Sequence, residues 1–441
     1  MTRGMGDSDT IYALSTAPGR AGIAVVRVSG PATRQVLVAL AGREPAPRQA
    51  TLARFRDHDG ETIDRGLLLY FPAPASVTGE DVAEFHVHGS RAVIAGLFEA
   101  LSRQGLRIAE PGEFTRRAFL NEKLDLAAAE GLADLVAAET KAQRRQALRQ
   151  LEGALGRLTE AWRGRLLDTQ ARLEAAIDFP DEDLPAGLWE GAREMARALA
   201  HDIAAHLADG RRGERLRDGV AVAILGPPNA GKSSLMNALA QRDVAITSAV
   251  AGTTRDVIEV ALDLDGYPVQ LWDTAGLRAG ADLVEEEGVR RARARAQSAD
   301  VKLVLYDATR AGEVEGLREL LDENAILIAN KSDLLLPQAK APQGLALSVR
   351  TGAGMERLLD RLGAAVADRF AGTAAPLVTR LRHRRALEEC RAALGRFAEA
   401  ALPELAAEDL RAAALALGRI TGRTGVEDML DRLFAEFCIG K

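Results

Sequence analysis

The sequence predicts a multidomain fold: an α+β N-terminal domain, an all-α helical domain, and an α/β domain inserted into the helical one. Three observations predict it. Residues 1–121 carry short β-rich runs between turn residues, at 22–29, 66–71 and 82–88. Residues 122–217 switch to a strongly charged helical period, which returns over 374–441. Residues 218–373 lie between these two halves and hold apolar runs that end in glycine- or asparagine-containing turns.

Composition narrows the class. A chain of 441 residues suits two to four domains, and 47% hydrophobic with 27% charged residues is ordinary globular material. Two cysteines, Cys390 and Cys438, give neither a disulfide framework nor a metal cluster, which fits a reducing cytoplasmic setting. No apolar run reaches the length of a membrane span, so no membrane is expected. A net charge of −6 disfavours indiscriminate binding to nucleic acid but leaves local basic patches open.

Within the helical region, residues 127–153 and 155–176 read as helices, and Ile177-Asp178-Phe179-Pro180-Asp181-Glu182 reads as a break. Basic clusters at 211–217 and at Arg380, Arg382, His383, Arg384 and Arg385 suit either RNA phosphates or, more simply, solvated helix faces. His86 and His88 alternate on an expected strand, but a metal site there lacks a third ligand.

The inserted segment carries the chemistry. An apolar run, 220–225, leads into Gly226-Pro227-Pro228-Asn229-Ala230-Gly231-Lys232-Ser233, and a helix-forming stretch follows at 234–240. Strand, glycine-rich turn and helix together make a phosphate loop credible. Its glycines let the backbone curve so that Asn229, Ala230, Gly231, Lys232, Ser233 and Ser234 surround the phosphates. Lys232 is placed to reach the β- and γ-phosphates, and the Ser233 hydroxyl to hold Mg²⁺.

Three further boxes follow in the order of a GTPase. Gly252-Thr253-Thr254-Arg255-Asp256 offers Thr254 to complete the Mg²⁺ shell. The run 269–272 ends in Asp273-Thr274-Ala275-Gly276, with Asp273 acting on Mg²⁺ through water and the Gly276 amide meeting the γ-phosphate. The run 325–329 ends in Asn330-Lys331-Ser332-Asp333. A carboxylate at Asp333 accepts the guanine N1–H and 2-amino protons, which adenine does not offer, so the site reads guanine. Ser348, in Leu347-Ser348-Val349-Arg350, closes over the base. The segment is therefore expected to be a P-loop GTPase domain of the Ras-like kind. Leu277 stands where such a domain often has a water-orienting glutamine, and leucine cannot hold water. Asp282, Glu285, Glu286 and Glu287 are candidates for that task, or simply a solvated acidic helix start.

The boxes, together with the ending Phe437-Cys438-Ile439-Gly440-Lys441, closely resemble those of the bacterial tRNA-modification GTPases of the MnmE (TrmE) family. The likeness extends over the chain through Pro18-Gly19-Arg20, Arg27-Val28-Ser29-Gly30, Thr78-Gly79-Glu80-Asp81-Val82, Pro111-Gly112-Glu113-Phe114 and Lys123-Leu124-Asp125-Leu126. The resemblance implies an N-terminal domain (1–121) that forms a homodimer and binds a 5-formyl- or methylene-tetrahydrofolate at Arg27, Glu84, Lys123 and Lys441. It also implies a helical domain in two parts (122–217 and 374–441) carrying the GTPase domain (218–373). With a flavin-bearing partner, MnmG (GidA), such proteins add an aminomethyl-type (carboxymethylaminomethyl) group at C5 of the tRNA wobble uridine. The family hydrolyses GTP around K⁺, which implies Asn229, Ser248, Val250 and Thr253 as K⁺ ligands and Glu285 as the water-orienting acid. With Lys232 and Gly276, Glu285 makes up the expected catalytic set. The other reading is a GTPase switch that binds RNA or ribosomes; no appended RNA-binding domain is apparent for it.

Overall fold

Alternating burial in the first strands explains the first sheet. β1 (Ile11–Leu14), β2 (Ala21–Ser29), β3 (Thr51–Arg56), β4 (Thr62–Phe71), β5 (Val82–Gly89) and β6 (Arg107–Ile108) join in the order β3-β4-β5-β2-β1-β6. All pairs are antiparallel except β1 with β6. Val26, Val28, Leu68, Tyr70, Phe85 and Val87 face one side, where α1 (Thr33–Ala41) and α2 (Arg91–Arg103) cover them. The residues between them, Arg27, Glu84 and His86, face the other side. The structure is a computed structural model that describes residues 9–178, 187–242, 244–246, 259–273, 299–338, 341–370 and 376–424, with five single positions (430, 434, 435, 437 and 440) beyond them.

The expected runs fall inside β2, β4 and β5, whereas β1 and β3 were not foreseen. β1 is four residues long, and β3 buries only Ala53 and Phe55, too little for a periodic signal. The expected helix at 127–153 is two helices, α4 (Leu126–Ala137) and α5 (Lys141–Leu151), following α3 (Glu113–Leu120). The break is chemical: the Thr140 hydroxyl accepts from the Gln143 amide while the Gln143 side chain accepts from Thr140 N–H, a reciprocal cap that starts a new helix. α6 (Ala154–Asp178) stops inside the expected break, and α7 (Leu188–Leu207) and α8 (Arg212–Asp218) follow.

The second sheet holds β7 (Val220–Leu225), β8 (Glu259–Leu264), β9 (Tyr267–Asp273), β10 (Val301–Asp307), β11 (Ala325–Asn330) and β12 (Leu345–Ala346), in the order β12-β11-β10-β7-β9-β8. Only β8 runs antiparallel. β7 is buried at all six positions, as a central parallel strand covered on both faces must be. Val220, Val222 and Ile224 pack with α9 (Lys232–Ala240) and α10 (Met355–Phe370), while Ala223 and Leu225 join Val304 and Tyr306 on the opposite face. α11 (Leu381–Glu399) lies along α7, with Trp189 edge-on to Phe397 at 5.3 Å, and α12 (Pro403–Thr421) follows. The expected multidomain α+β, helical and α/β fold is the one observed.

The chain divides into two compact units: Met1–Ala133 with Gly156–Glu160 and Leu417–Lys441, and Asp134–Leu155 with Ala161–Ala416. Within the second, α5 grips both connections of the α/β segment. The Gln143 and Gln146 side-chain amides donate to the Arg217 and Gly213 carbonyls at 3.0 and 3.2 Å. Gln150 donates to the Leu377 carbonyl at 2.9 Å and the Thr379 hydroxyl at 3.0 Å. The three glutamines stand at i, i+3 and i+7, on one helix face. At the start of α5, Ala142 N–H donates to Gly266 O in the β8–β9 turn at 3.1 Å.

The basic clusters are partly drawn inward: Arg211 and Arg385 are exposed, whereas others are held in ion pairs. Arg384 is 6% exposed and binds Asp209 and Glu214 at 2.7 and 2.8 Å, and Arg380 and Arg217 share Asp134. Helical periodicity shows which face a residue occupies but not which carboxylates meet it from another helix.

Two predictions follow from this packing. Gln150→Ala leaves buried backbone and hydroxyl groups without their donor, and should lower unfolding stability by about 1–3 kcal/mol in urea titration. In the first unit, Glu113 is 2% exposed; it accepts from Arg107, Arg117 and the Glu110 N–H. Burial pushes its pKa up, but the Arg107, Glu110 and Arg117 hydrogen bonds more than offset this and leave it below the usual 4.5. Its stabilisation is thus fully present above pH 4.5 and lost as pH falls through the lower folded value. Glu113→Gln should cost about 1.5–3 kcal/mol at neutral pH, and thermal melts should show the gap closing in acid.

Candidate nucleotide site

The phosphate loop is shaped by close approach. Gly226 has φ 141°, and a Cβ there would lie 2.1 Å from the Leu305 carbonyl of the neighbouring strand β10. Asn229 (φ 65°) and Gly231 (φ 98°) turn the chain twice through the left-handed region before α9 begins. The Lys232 ammonium is held by the carbonyls of Gly226 and Pro227, 2.9 Å from each, which brings its charge back over the loop. Lys232, Ser233 and Ser234 form the first turn of α9, whose N–H groups lack helical acceptors and favour an anion.

A second loop arrives from β11. Asn330 is 3% exposed; its side-chain amide donates to the Ala230 carbonyl at 2.8 Å and its oxygen accepts from Val349 N–H at 3.2 Å. Asp333 accepts from the Ser348 hydroxyl at 2.6 Å on one oxygen and from Arg350 on the other, at 2.5 and 3.1 Å. The Ser348 hydrogen bond, with Arg350 behind it, holds the Asp333 carboxyl below its usual range against the opposing effect of burial, so it is an ionised acceptor at neutral pH. The structure therefore brings Asn229, Ala230, Gly231, Lys232, Ser233 and Ser234 together with Asn330, Lys331, Asp333 and Ser348 at the carboxyl ends of the parallel strands. That is where open α/β sheets hold ligands.

Sequence reasoning missed Asp307 and Arg350. Asp307 closes β10; its carboxylate accepts from Lys331 Nζ at 2.7 Å and from the Thr309 N–H and hydroxyl at 3.0 and 2.7 Å. Burial raises its pKa, but the Lys331 and Thr309 bonds outweigh that and leave it lowered. An Asp ending an apolar run was visible in the sequence, but only the Asp307–Asn330 register puts it beside Lys331. Asp273 ends β9 opposite Ile224. Gly276, Glu285, Ser248, Val250, Thr253, Thr254 and Lys441 lie outside the described residues.

A separate constellation stands in the first unit. Arg27 and Glu84 are cross-strand partners on β2 and β5, paired at 2.8 Å, with the Arg27 guanidinium 5.8 Å from the Phe114 ring centre. His86 binds the other Glu84 oxygen at 3.3 Å and His88 binds Asp64 at 2.9 Å, which ties both histidines to carboxylates. Gly440 has φ 97°; a Cβ on it would be 2.3 Å from the Leu14 carbonyl, and its own carbonyl accepts from the Ser15 hydroxyl at 3.0 Å. Ala13, the neighbour of Leu14, is the register partner of Arg27, so residue 440 stands at the end of the strand beside the Arg27–Glu84 pair. Lys123 lies beside Gly79, where a Cβ would be 3.1 Å from its Cε. Among the described residues no direct bond links it to Arg27 or Glu84.

Two family models cover most of the chain: one described as the GTP-binding protein TrmE N-terminus matches residues 10–123, and the MnmE helical domain matches residues 126–438. Curated relatives agree along the full length. The chain is 57% identical to the tRNA modification GTPase MnmE of Parvibaculum lavamentivorans, with 98% of this chain and 100% of that protein covered. It is 54% identical to the protein of the same name from Paramagnetospirillum magneticum, again over 98% and 100%. For the Caulobacter vibrioides protein the identity is 51% over the same shares. With a phosphate loop and the Asn330–Asp333 turn joined at one sheet end, and with this likeness from residue 10 onward, the chain belongs to the MnmE (TrmE) family of tRNA modification GTPases.

Proposed function

We propose that this GTPase hydrolyses GTP with Mg²⁺ and K⁺ and, with a flavin-bearing partner of the MnmG (GidA) kind, uses a tetrahydrofolate one-carbon unit. The product is a carboxymethylaminomethyl-type group at C5 of the tRNA wobble uridine. The GTP half is supported by fit. The path of the phosphate loop past the Leu305 carbonyl admits only glycine at 226, Lys232 supplies a cation at the loop, and Asp333 is an anion held by Ser348. When bound, Mg²⁺ and K⁺ draw negative charge off the phosphates. Ser233 and Thr254 are assigned to Mg²⁺, and Asn229, Ser248, Val250 and Thr253 to K⁺. Glu285 is assigned to the attacking water, and Lys232 and the Gly276 amide to the γ-phosphate.

The observation that carries the folate half is the seating of Gly440 against Leu14 and Ser15, at the end of the strand that pairs with the Arg27 strand. Residue 440 is 425 positions from Ser15 in sequence, so only a specific docking brings it there. Arg27 and Lys441, the residue that follows Gly440 in sequence, are cations suited to the glutamate tail, and Glu84 is a carboxylate suited to an amino-pyrimidine edge. A folate supplies the carbon that is transferred. A cytoplasmic homodimer is part of the same reading; no helix among the described residues is long and apolar enough to cross a membrane.

Equilibrium binding of 5-formyltetrahydrofolate tests the folate half. The full chain should bind in the micromolar range, and removal of residues 438–441 should weaken binding by about tenfold or more. Equal affinity of the two chains overturns the assignment. Gly226→Ala should weaken GTP binding by about tenfold or more in a fluorescent-nucleotide titration, because the added Cβ forces the loop away from Leu305.

A further inference from the structure

We propose that Asp307 is a positioning residue of the base-reading half of the nucleotide site, acting through Lys331. The proposal rests on the reading of Asn330–Asp333 as a guanine site and adds to it a residue from another strand. Asp307 and Asn330 are register partners and the last residues of β10 and β11, so both strands deliver their final side chains to one point. Ala308 N–H donates to the Asn330 carbonyl at 2.8 Å, which joins the two chain ends just beyond the sheet.

Asp307 is 7% exposed, and both of its carboxylate oxygens are used. One accepts from the Thr309 N–H and hydroxyl; the other accepts from Lys331 Nζ at 2.7 Å. Lys331 has φ 62°, a backbone conformation side chains rarely adopt. That turn lets Asn330 point back to Ala230 while Ser332 N–H donates to the Leu347 carbonyl and Asp333 meets Ser348. A partly exposed lysine stem otherwise samples many rotamers. The buried carboxylate pins the ammonium, so the stem stays still between the phosphate loop and the base-reading acid.

A purely local role, capping the turn at Thr309, needs only a side-chain oxygen. Asparagine supplies that oxygen but sets an amide beside the ammonium in place of a negative charge. Asp307→Asn therefore separates the two roles.

The test uses the full-length protein, a fluorescent GDP in stopped flow, and steady-state GTP hydrolysis. Asp307→Asn should speed GDP dissociation and raise the KM for GTP by about tenfold, with kcat changed less than about twofold. Asp307→Glu should recover part of the loss. Lys331→Ala should match Asp307→Asn, and the double variant should be no worse than Lys331→Ala, because the two residues act as one unit. Unchanged dissociation in Asp307→Asn overturns the proposal; so does multiplication of the two effects, or a lowered melting temperature with KM unmoved. Asp333→Asn, assayed with GTP against xanthosine triphosphate, tests the underlying reading. A lost guanine preference there, with Asp307→Asn silent, rejects the role of Asp307 alone. An unaltered preference rejects the guanine reading and the proposal with it.

Discussion

The side chain of Asn330 holds together the parts of the nucleotide site that sequence scatters over a hundred residues. Its amide donates to Ala230 in the phosphate loop and its oxygen accepts from Val349 in the loop that carries Ser348. A buried amide is tolerated only when both ends are paired, so neither loop can shift without leaving a polar group unpaired in the interior. Gly231 is part of the same constraint: a Cβ there would lie 2.3 Å from the Asn330 nitrogen. The phosphate loop and the Asn330–Asp333 turn are thus held at a fixed distance by one hydrogen-bonded contact.

A similar economy operates where the α/β segment joins its surroundings. Two chain connections lead into and out of it, and the glutamines of α5 hold the backbone of both. Three of the four bonds go to carbonyls and so specify backbone position; the fourth goes to the Thr379 hydroxyl. The turn between β8 and β9 is tied to the same helix through Ala142 and Gly266. Those strands flank the stretches carrying the Thr254 and Gly276 boxes. Displacement of the hairpin must therefore break that bond or move α5.

Among the described residues, several arginines are held in internal ion pairs. Arg384, Arg380 and Arg217 are absorbed by Asp209, Glu214 and Asp134, and Arg107 and Arg117 by Glu113 and Asp9. Breaking one member strands its partner in a poorly solvated place, so such pairs specify geometry more than they add stability. Arg27 and Glu84 form a pair of another kind. They sit on the sheet face not covered by α1 and α2, where each keeps about a fifth of its side chain exposed.

The loops at the ends of β7 and β11 were legible in the chain alone as turns that follow apolar runs. Phosphate and guanine recognition require particular residue types at fixed spacing on consecutive residues, and a buried parallel strand requires an unbroken apolar run such as that of β7. The same locality explains why the helical stretches were recognised but the cap at Thr140 was not, since one hydroxyl outweighed an unbroken helical period. Asp307, the glutamines of α5, the burial of Arg384 and the seating of Gly440 beside Leu14 had no such signature. Each depends on strand register or on the docking of segments far apart in sequence, from 24 residues for Asp307 and Lys331 to 425 for Ser15 and Gly440. Residue type limits what a side chain can bond; folding alone selects which of many equivalent donors and acceptors it meets.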